Sequence, residues 1–181
     1  MITVRNATDA DLDSAAASLT TAFDRDPFSV WVVPDAAERA VGMRAMFEAR
    51  LAETLAQGGT VLVTEDLGAA AIWLPPGISP DPSGPPDARP EVTSAFAAID
   101  RAHPIRPHWY LDILGSAEGQ GGRGSALVGH MLAVTDAAGM PTALWTGNER
   151  NLDFYGKHGY QVVERLDFEG ASAWWLWREA E

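Results

Sequence analysis

The chain has no cysteine, so it can form no disulfide, no thiolate metal site and no cysteine nucleophile. Basic residues are scarce too: 13 Lys and Arg stand against 25 Asp and Glu, a formal net charge of -12. That balance argues against the broad phosphate-neutralising surface that nucleic-acid binding needs, and it attracts a small cationic substrate. No run approaches the ~20 apolar residues of a membrane span, and the start MITVRNATDADLD lacks the basic-then-apolar pattern of a secretory leader. The expectation is a soluble, cytoplasmic protein with neither nucleic acid nor membrane as partner. What is present is core material. With 46% of 181 residues hydrophobic and 21% charged, the chain can bury one substantial core, and residues 1–181 read as one domain.

ITVRNA at 2–7 suits a first strand. Thr8 and Asp11 form a capping-box pattern ahead of a helix whose Leu12, Ala15, Ala16, Leu19, Ala22 and Phe23 share one face. DRDPFSVWVVPD at 24–35 breaks that pattern with two prolines and reads as a loop. Asp35 and Glu38 repeat the capping signal before a helix striped by Met43, Phe47, Leu51 and Leu55, which Gly58 and Gly59 end. TVLVTE (60–65) and AAAIWLP (69–75) form a hairpin, and the segment 75–90, holding most of the chain's twelve prolines, is an irregular excursion. A short helix near 91–102 precedes a strand, HWYLDIL, at 108–114. Leu127, Val128, Met131, Leu132 and Ala138 mark a helix that closes at Gly139, and TALWT at 142–146 is a strand. Asn148 then caps a helix running through His158, and YQVVERLDF with ASAWWLWRE, turned at Glu169 and Gly170, form a closing hairpin.

LGSAEGQGGRGSALV at 114–128 packs five glycines between the strand and the helix. Glycine-rich stretches are often slack linkers. Here a strand runs straight in and a helix straight out, so the helix's unpaired N-terminal N–H groups and the positive end of its dipole face the cluster and suit a phosphate. Glycine permits the close approach and the positive φ that such a cradle uses. A P-loop is excluded, because no Lys-Ser or Lys-Thr pair occurs. Gly119, Gly121 and Gly124 match G-x-G-x-x-G in spacing, but no βαβ unit precedes them.

Downstream, NERNLDFYGKHGY at 148–160 puts Asn151 and Tyr155 four residues apart on one helix face. That pair reads either as an amide to hold an amide-rich ligand and a hydroxyl to deliver a proton, or as a cap and a core aromatic with a wet tip. Together, the glycine loop, helix, strand and N-x-x-N-x-x-F-Y-x-x-x-G-Y resemble the acyl-CoA site of the GNAT superfamily of N-acetyltransferases. The likeness runs over residues 107–168, and in the LGS, GSAL, ERN and FYxxxGY segments it is to the small-molecule-modifying members. One departure stands out. With Gly122 and Gly124 aligned on the family loop [QR]-x-x-G-x-[GA], Gly119 stands where the family has Gln or Arg, and Gln120 comes one place late.

The resemblance implies an α+β fold, an α/β/α sandwich whose mixed, mostly antiparallel sheet of six or seven strands splays between the fourth and fifth. It implies acetyl-CoA as co-substrate, with its pantetheine arm along Ile113 and Leu114 and its diphosphate on Gly119, Gln120, Gly121, Gly122, Arg123, Gly124 and Ser125, while Asn151 and Tyr155 complete the site. The N–H near Leu114 would polarise the thioester carbonyl, and Tyr155 matches the family's general acid. For the base, Asp112 interrupts an apolar strand where burial would raise its pKa towards a useful value, the alternative being an edge or solvent-facing position. His108, Glu65, Asp24 and Asp26 are less favoured bases. His103 and His108 have H-x-x-x-x-H spacing but no third ligand, so no metal is expected. An acceptor pocket is expected from Phe28, Trp31 and Trp73 as apolar walls, with Asp24 and Asp26 drawing an ammonium, although core packing explains Trp73 equally well. The expected activity is transfer of an acetyl group to the primary amine of a small molecule: an antibiotic, a biosynthetic intermediate or an amino-acid derivative. The alternatives are a protein or peptide N-acetyltransferase and a non-catalytic acyl-CoA-binding module. Burial between two copies in a homodimer would be one use for the three tryptophans in the last eight residues.

Overall fold

The computed structural model describes residues 2–78, 84–117 and 121–181. Seven strands make one sheet: β1 (Val4–Asn6), β2 (Thr60–Thr64), β3 (Ala69–Leu74), β4 (Trp109–Ser116), β5 (Thr142–Thr146), β6 (Gln161–Phe168) and β7 (Ala171–Arg178). Their spatial order is β1-β2-β3-β4-β5-β7-β6. Neighbours are antiparallel throughout except for the parallel pair β4 and β5. The helices are α1 (Leu12–Phe23), α2 (Pro27–Val32), α3 (Ala36–Ala56), α4 (Pro90–Arg101), α5 (Arg123–Ala137) and α6 (Asn151–Gly156). No helix among the described residues is long and apolar enough to cross a membrane.

Strand alternation sorts the apolar residues into two cores, one on each face of the sheet. Val61, Val63, Ala70, Ile72, Tyr110 and Ala143 meet Leu19 of α1, Phe28 of α2, Phe47 and Leu51 of α3 and Ile99 of α4. Leu62, Ala71, Trp73, Leu111 and Leu144 meet Leu127, Val128 and Met131 of α5 and Tyr155 of α6. The expected sandwich is therefore formed. Each fully buried Leu, Phe or Val contributes about 1.5–3 kcal/mol to it.

Local signals account for most element ends. Asp11 Oδ2 accepts from Thr8 N at 2.8 Å in the expected capping box, and also pairs with Arg5 at 2.7 Å. Asp35 Oδ1 accepts from the N–H groups of Ala37 and Glu38, both at 2.9 Å, and starts α3. Two expectations need correction. The stretch 24–35, read as a loop, contains α2: Asp26 Oδ1 accepts from Phe28 N and Ser29 N, both at 3.1 Å, and Pro27 takes the first helical position, where its missing N–H costs nothing. A proline taken as a breaker is here a starter. Asn148 does not cap a helix through His158. It forms a preceding turn, its Oδ1 accepting from Arg150 N at 3.1 Å, and α6 spans only Asn151–Gly156.

Two irregularities position the site. The ladder between β4 and β5 consists of Trp109↔Thr142 and Tyr110↔Ala143, after which the strands part. From Leu111 to Ser116, β4 stays paired with β3 and presents its other edge with no strand partner among the described residues. Within that stretch the register slips between Ile72↔Ile113 and Trp73↔Leu111, leaving Asp112 as an extra residue at a β-bulge.

Candidate active site

Where β4 parts from β5, a cleft of about 420 Å³ opens. Leu114 and Ser116 of β4, Gly122, Gly124 and Ser125 at the start of α5, and Asn151, Phe154 and Tyr155 of α6 wall it. Gly122 is the N-terminal cap residue of α5 with φ +90°, a left-handed conformation that favours glycine. Its carbonyl accepts from Ala126 N at 2.9 Å, and no side chain caps the helix, so the first-turn N–H groups stand uncapped beside the cleft. A Cβ on Gly124 would lie 3.5 Å from Phe154 Cζ and 4.0 Å from Leu114 Cδ2, so anything longer than a methyl group would project into the cleft walls.

Asn151 and Tyr155 both line this cleft, as their spacing predicts. Asn151 Nδ2 donates to Thr146 Oγ1 at 3.3 Å, and Asn148 N donates to the same oxygen at 3.2 Å, tying α6 to the end of β5. Tyr155 is 7% exposed. Burial pushes its hydroxyl pKa well up, and the nearby Tyr160 and Asp26 push the same way, so the group carries its proton throughout the neutral range.

Asp112 sits on the other face of the sheet, where the bulge turns it towards α3. Its side chain is 9% exposed, and Oδ2 lies 3.4 Å from Arg50 Nε, an ion-pair distance. The alternative of an edge or solvent-facing position is therefore not what the structure has. Burial raises the Asp112 pKa to about 6, with Arg50 opposing the shift and Glu53 adding to it. Tyr110, buried on the same face, has its hydroxyl pKa raised by burial, with Asp112 and, more weakly, Tyr155 adding to it. Its hydroxyl thus lies within electrostatic reach of both.

Other sequence-predicted residues fall elsewhere. Gly119 and Gln120 lie outside the described residues. Ile113 packs its side chain into the core under α1 and α3. The Arg123 guanidinium is turned away to Asp66 in the β2–β3 turn, with Nε at 3.1 Å from Oδ1 and Nη2 bonded to Oδ2, so its charge is already matched. The five residues expected to form an acceptor pocket do not line this cleft, and they are divided between the two faces of the sheet. Trp73 is fully buried in the α5-side core, across the sheet from Phe28 and Trp31, because AAAIWL is apolar on both faces and only the register decides which way Trp73 points. Phe28 is 5% exposed and packs edge-on against Phe96 and Trp145, while Trp31 Nε1 donates to Glu169 O at 3.0 Å. Asp24 pairs with Arg39 at 3.5 Å, and Asp26 both caps α2 and accepts from Asn148 Nδ2 at 3.3 Å. Glu65 pairs with Arg5. His103 and His108 put their Nε2 atoms 3.2 Å apart at the opposite end of β4. His108 Nδ1 faces the Arg106 carbonyl at 2.6 Å, which can only accept, so His108 Nε2 is left as the acceptor for His103.

Sequence reasoning passed over Phe154, whose ring packs edge-on against Tyr155 at 5.1 Å and forms a cleft wall, although the FY pair signalled it. It also passed over Arg50 and the Ser125 to His158 contact, for which no local pattern exists.

No family model matches the chain. Solved structures do. A Corynebacterium glutamicum protein described as histone acetyltransferase HPA2 and related acetyltransferase is 25% identical, with 99% of this chain and 97% of that one covered and a TM-score of 0.76. A mosquito arylalkylamine N-acetyltransferase like 5b is 14% identical with a TM-score of 0.70, covering 99% of this chain and 100% of that one. The PaiA N-acetyltransferase of Thermoplasma acidophilum, solved with coenzyme A, is 11% identical with a TM-score of 0.62, covering 99% of both chains. In its mixed sheet, in the parting of β4 from β5 and in its similarity to solved structures, the chain has the fold of the GNAT acetyltransferases, which is the fold that its glycine loop and FYxxxGY segment imply.

Proposed function

We propose that the chain is an acetyl-CoA-dependent N-acetyltransferase whose acceptor is the primary amine of a small molecule. The observation that carries this reading is one cleft holding three features: the unpaired edge of β4, the side-chain-free turn before an uncapped α5, and the buried Tyr155 hydroxyl. An extended, amide-bearing arm fits the first as an added strand. A diphosphate fits the second, where donors and the helix dipole converge. Residues Leu114, Ser116 and Asn151 would hold the pantetheine arm, and Gly122, Gly124 and Ser125 the diphosphate. Bound acetyl-CoA would supply the activated acyl group.

The chain's own groups then divide the proton work between the two faces of the sheet. Tyr155 holds a proton on Oη at neutral pH and is the donor available to a leaving thiolate. Asp112, with its pKa near 6, is largely ionised at pH 7 and can take a proton from an ammonium, directly or through water, on the α3 side. The acceptor amine therefore approaches from the face opposite the cofactor cleft. The net charge of -12 favours such a cation.

The test is thiol release from acetyl-CoA over a library of small primary amines, comparing the native chain with Tyr155→Phe. Turnover with at least one amine is expected, with kcat falling by about 10²–10⁴ in the variant. Coenzyme A binding without turnover of any amine would leave a non-catalytic binding module, and absence of binding would end the reading altogether. A protein-acetylating reading has one observation behind it, since the same negative charge attracts basic peptides. Faster turnover of lysine-bearing peptides than of any small amine would replace the present proposal with that one.

A further inference from the structure

His158 lies in the turn after α6, half-buried, with its ring against Phe154 at a centroid separation of 5.0 Å. Its Nε2 is 3.2 Å from Ser125 Oγ. Ser125 is in the first turn of α5 and lines the cleft. We propose that His158, acting through the Ser125 hydroxyl, makes binding of the cofactor's diphosphate in this cleft proton-linked, with affinity rising as pH falls. The inference rests on the reading of the cleft as a coenzyme A site.

The hydrogen-bond inventory of the two side chains carries the proposal. A neutral imidazole with its lone pair on Nε2 accepts from the Ser125 hydroxyl, and that hydroxyl proton is then withheld from the cleft. An imidazolium can only donate. Its Nε2–H goes to Ser125 Oγ, which turns the hydroxyl proton towards the cleft and adds a positive charge beside the N-terminus of a fifteen-residue helix. Protonation therefore converts Ser125 from a donor to histidine into a donor to an anion.

The surrounding charges favour the neutral ring when no anion is bound. Burial lowers the imidazole pKa, and Arg178 on β7 adds to the shift. Arg178 is itself paired with Asp136 of α5 at 2.6 Å and with Glu181 at 3.6 Å. A diphosphate at Ser125 acts in the other direction and favours the imidazolium. Between the free and bound values of the histidine pKa, binding takes up protons. Affinity is greatest below that window and is lost as pH rises through it.

The experiment is calorimetric titration of 3′-dephospho-CoA from about pH 5.5 to 8.5, in pairs of buffers that differ in ionisation heat, so that proton uptake is read directly. This ligand keeps the diphosphate diester but lacks the phosphomonoester, whose own pKa near ~6 would mask the effect. Pantetheine, which has no diphosphate, is the control. The native chain is expected to take up protons on binding and to bind about three- to tenfold more tightly at pH 6 than at pH 8. His158→Gln is expected to abolish both the uptake and the pH dependence and to converge on the native affinity at high pH. Ser125→Ala is expected to lose the uptake as well, with weaker binding throughout. Thermal melts of both variants establish that they are folded. Binding of 3′-dephospho-CoA with proton uptake unchanged in His158→Gln, or equal pH dependence for pantetheine, overturns this inference and leaves the coenzyme A reading intact. No binding by the native chain at any pH overturns both.

Discussion

Asp112 owes its position to a single extra residue in β4. Without the bulge between Ile72↔Ile113 and Trp73↔Leu111, strand alternation would place Asp112 and Ile113 on opposite faces, whereas here Asp112 faces Arg50 on α3 and Ile113 packs into the same core. If Asp112 is the base, kcat/KM should rise with pH through about 6, its carboxyl pKa, and Asp112→Asn should lower the rate and erase that limb of the profile. An unchanged limb in the variant would assign it to another group. Stability offers a second reading with its own sign. The native state holds the Asp112 proton more tightly than the unfolded chain does, so stability falls as pH rises from the ordinary carboxyl pKa of 3.8 to about 6. Thermal melts of the native chain and Asp112→Asn should therefore diverge over that window, the native chain losing more. Residue identity was legible where spacing encodes a shared face, as for Asn151 and Tyr155. It was not legible where a register slip decides the face, as for Asp112, or where both faces of a strand are apolar, as for Trp73.

At the scale of elements, the junction from β4 to α5 separates two roles of glycine. Gly122 answers to backbone conformation: at φ +90°, Gly122→Ala should cost about 1–2 kcal/mol in urea unfolding even without ligand. Gly124 answers to space. A methyl group there makes ordinary contacts at 3.5 Å with Phe154, so Gly124→Ala should fold and bind normally. Gly124→Leu should keep its melting temperature within a few degrees and lose coenzyme A binding in calorimetry, because the longer side chain fills the cleft. Retained affinity in Gly124→Leu would refute the cradle. Strand, loop and helix order around this junction was readable from glycine and proline punctuation and from apolar periodicity. The same punctuation misled at Pro27, since a proline that stops one helix and a proline that starts another differ only in the capping residue before it, here Asp26.

For the whole molecule, the parting that makes the site also weakens the sheet, whose two halves share, among the described residues, only the strand pairs Trp109↔Thr142 and Tyr110↔Ala143. β5, β7 and β6 must be held to the rest by helices and side chains. Arg178, near the end of β7 and 5% exposed, spans that division: its two terminal nitrogens bond Asp136 near the end of α5 at 2.6 and 2.9 Å, while the body of α5 packs on Ala71, Trp73 and Leu111 of the other half. Asp136 keeps partial contact with water, so removing its partner should cost towards the low end of a broken buried pair, about 2–4 kcal/mol. Arg178→Met should show that deficit in urea unfolding at pH 7. The guanidinium holds the Asp136 carboxyl below its usual range, so the pair's contribution is present above the ordinary carboxyl pKa and is lost as pH falls through the lowered one. The difference between Arg178→Met and the native chain should accordingly shrink on acidification. Asp136→Leu introduced into Arg178→Met should recover part of the loss by removing the stranded carboxylate. A deficit below about 0.5 kcal/mol would be that of an ordinary surface substitution. The two halves would then be joined by the packing of α5 and the remaining helices alone.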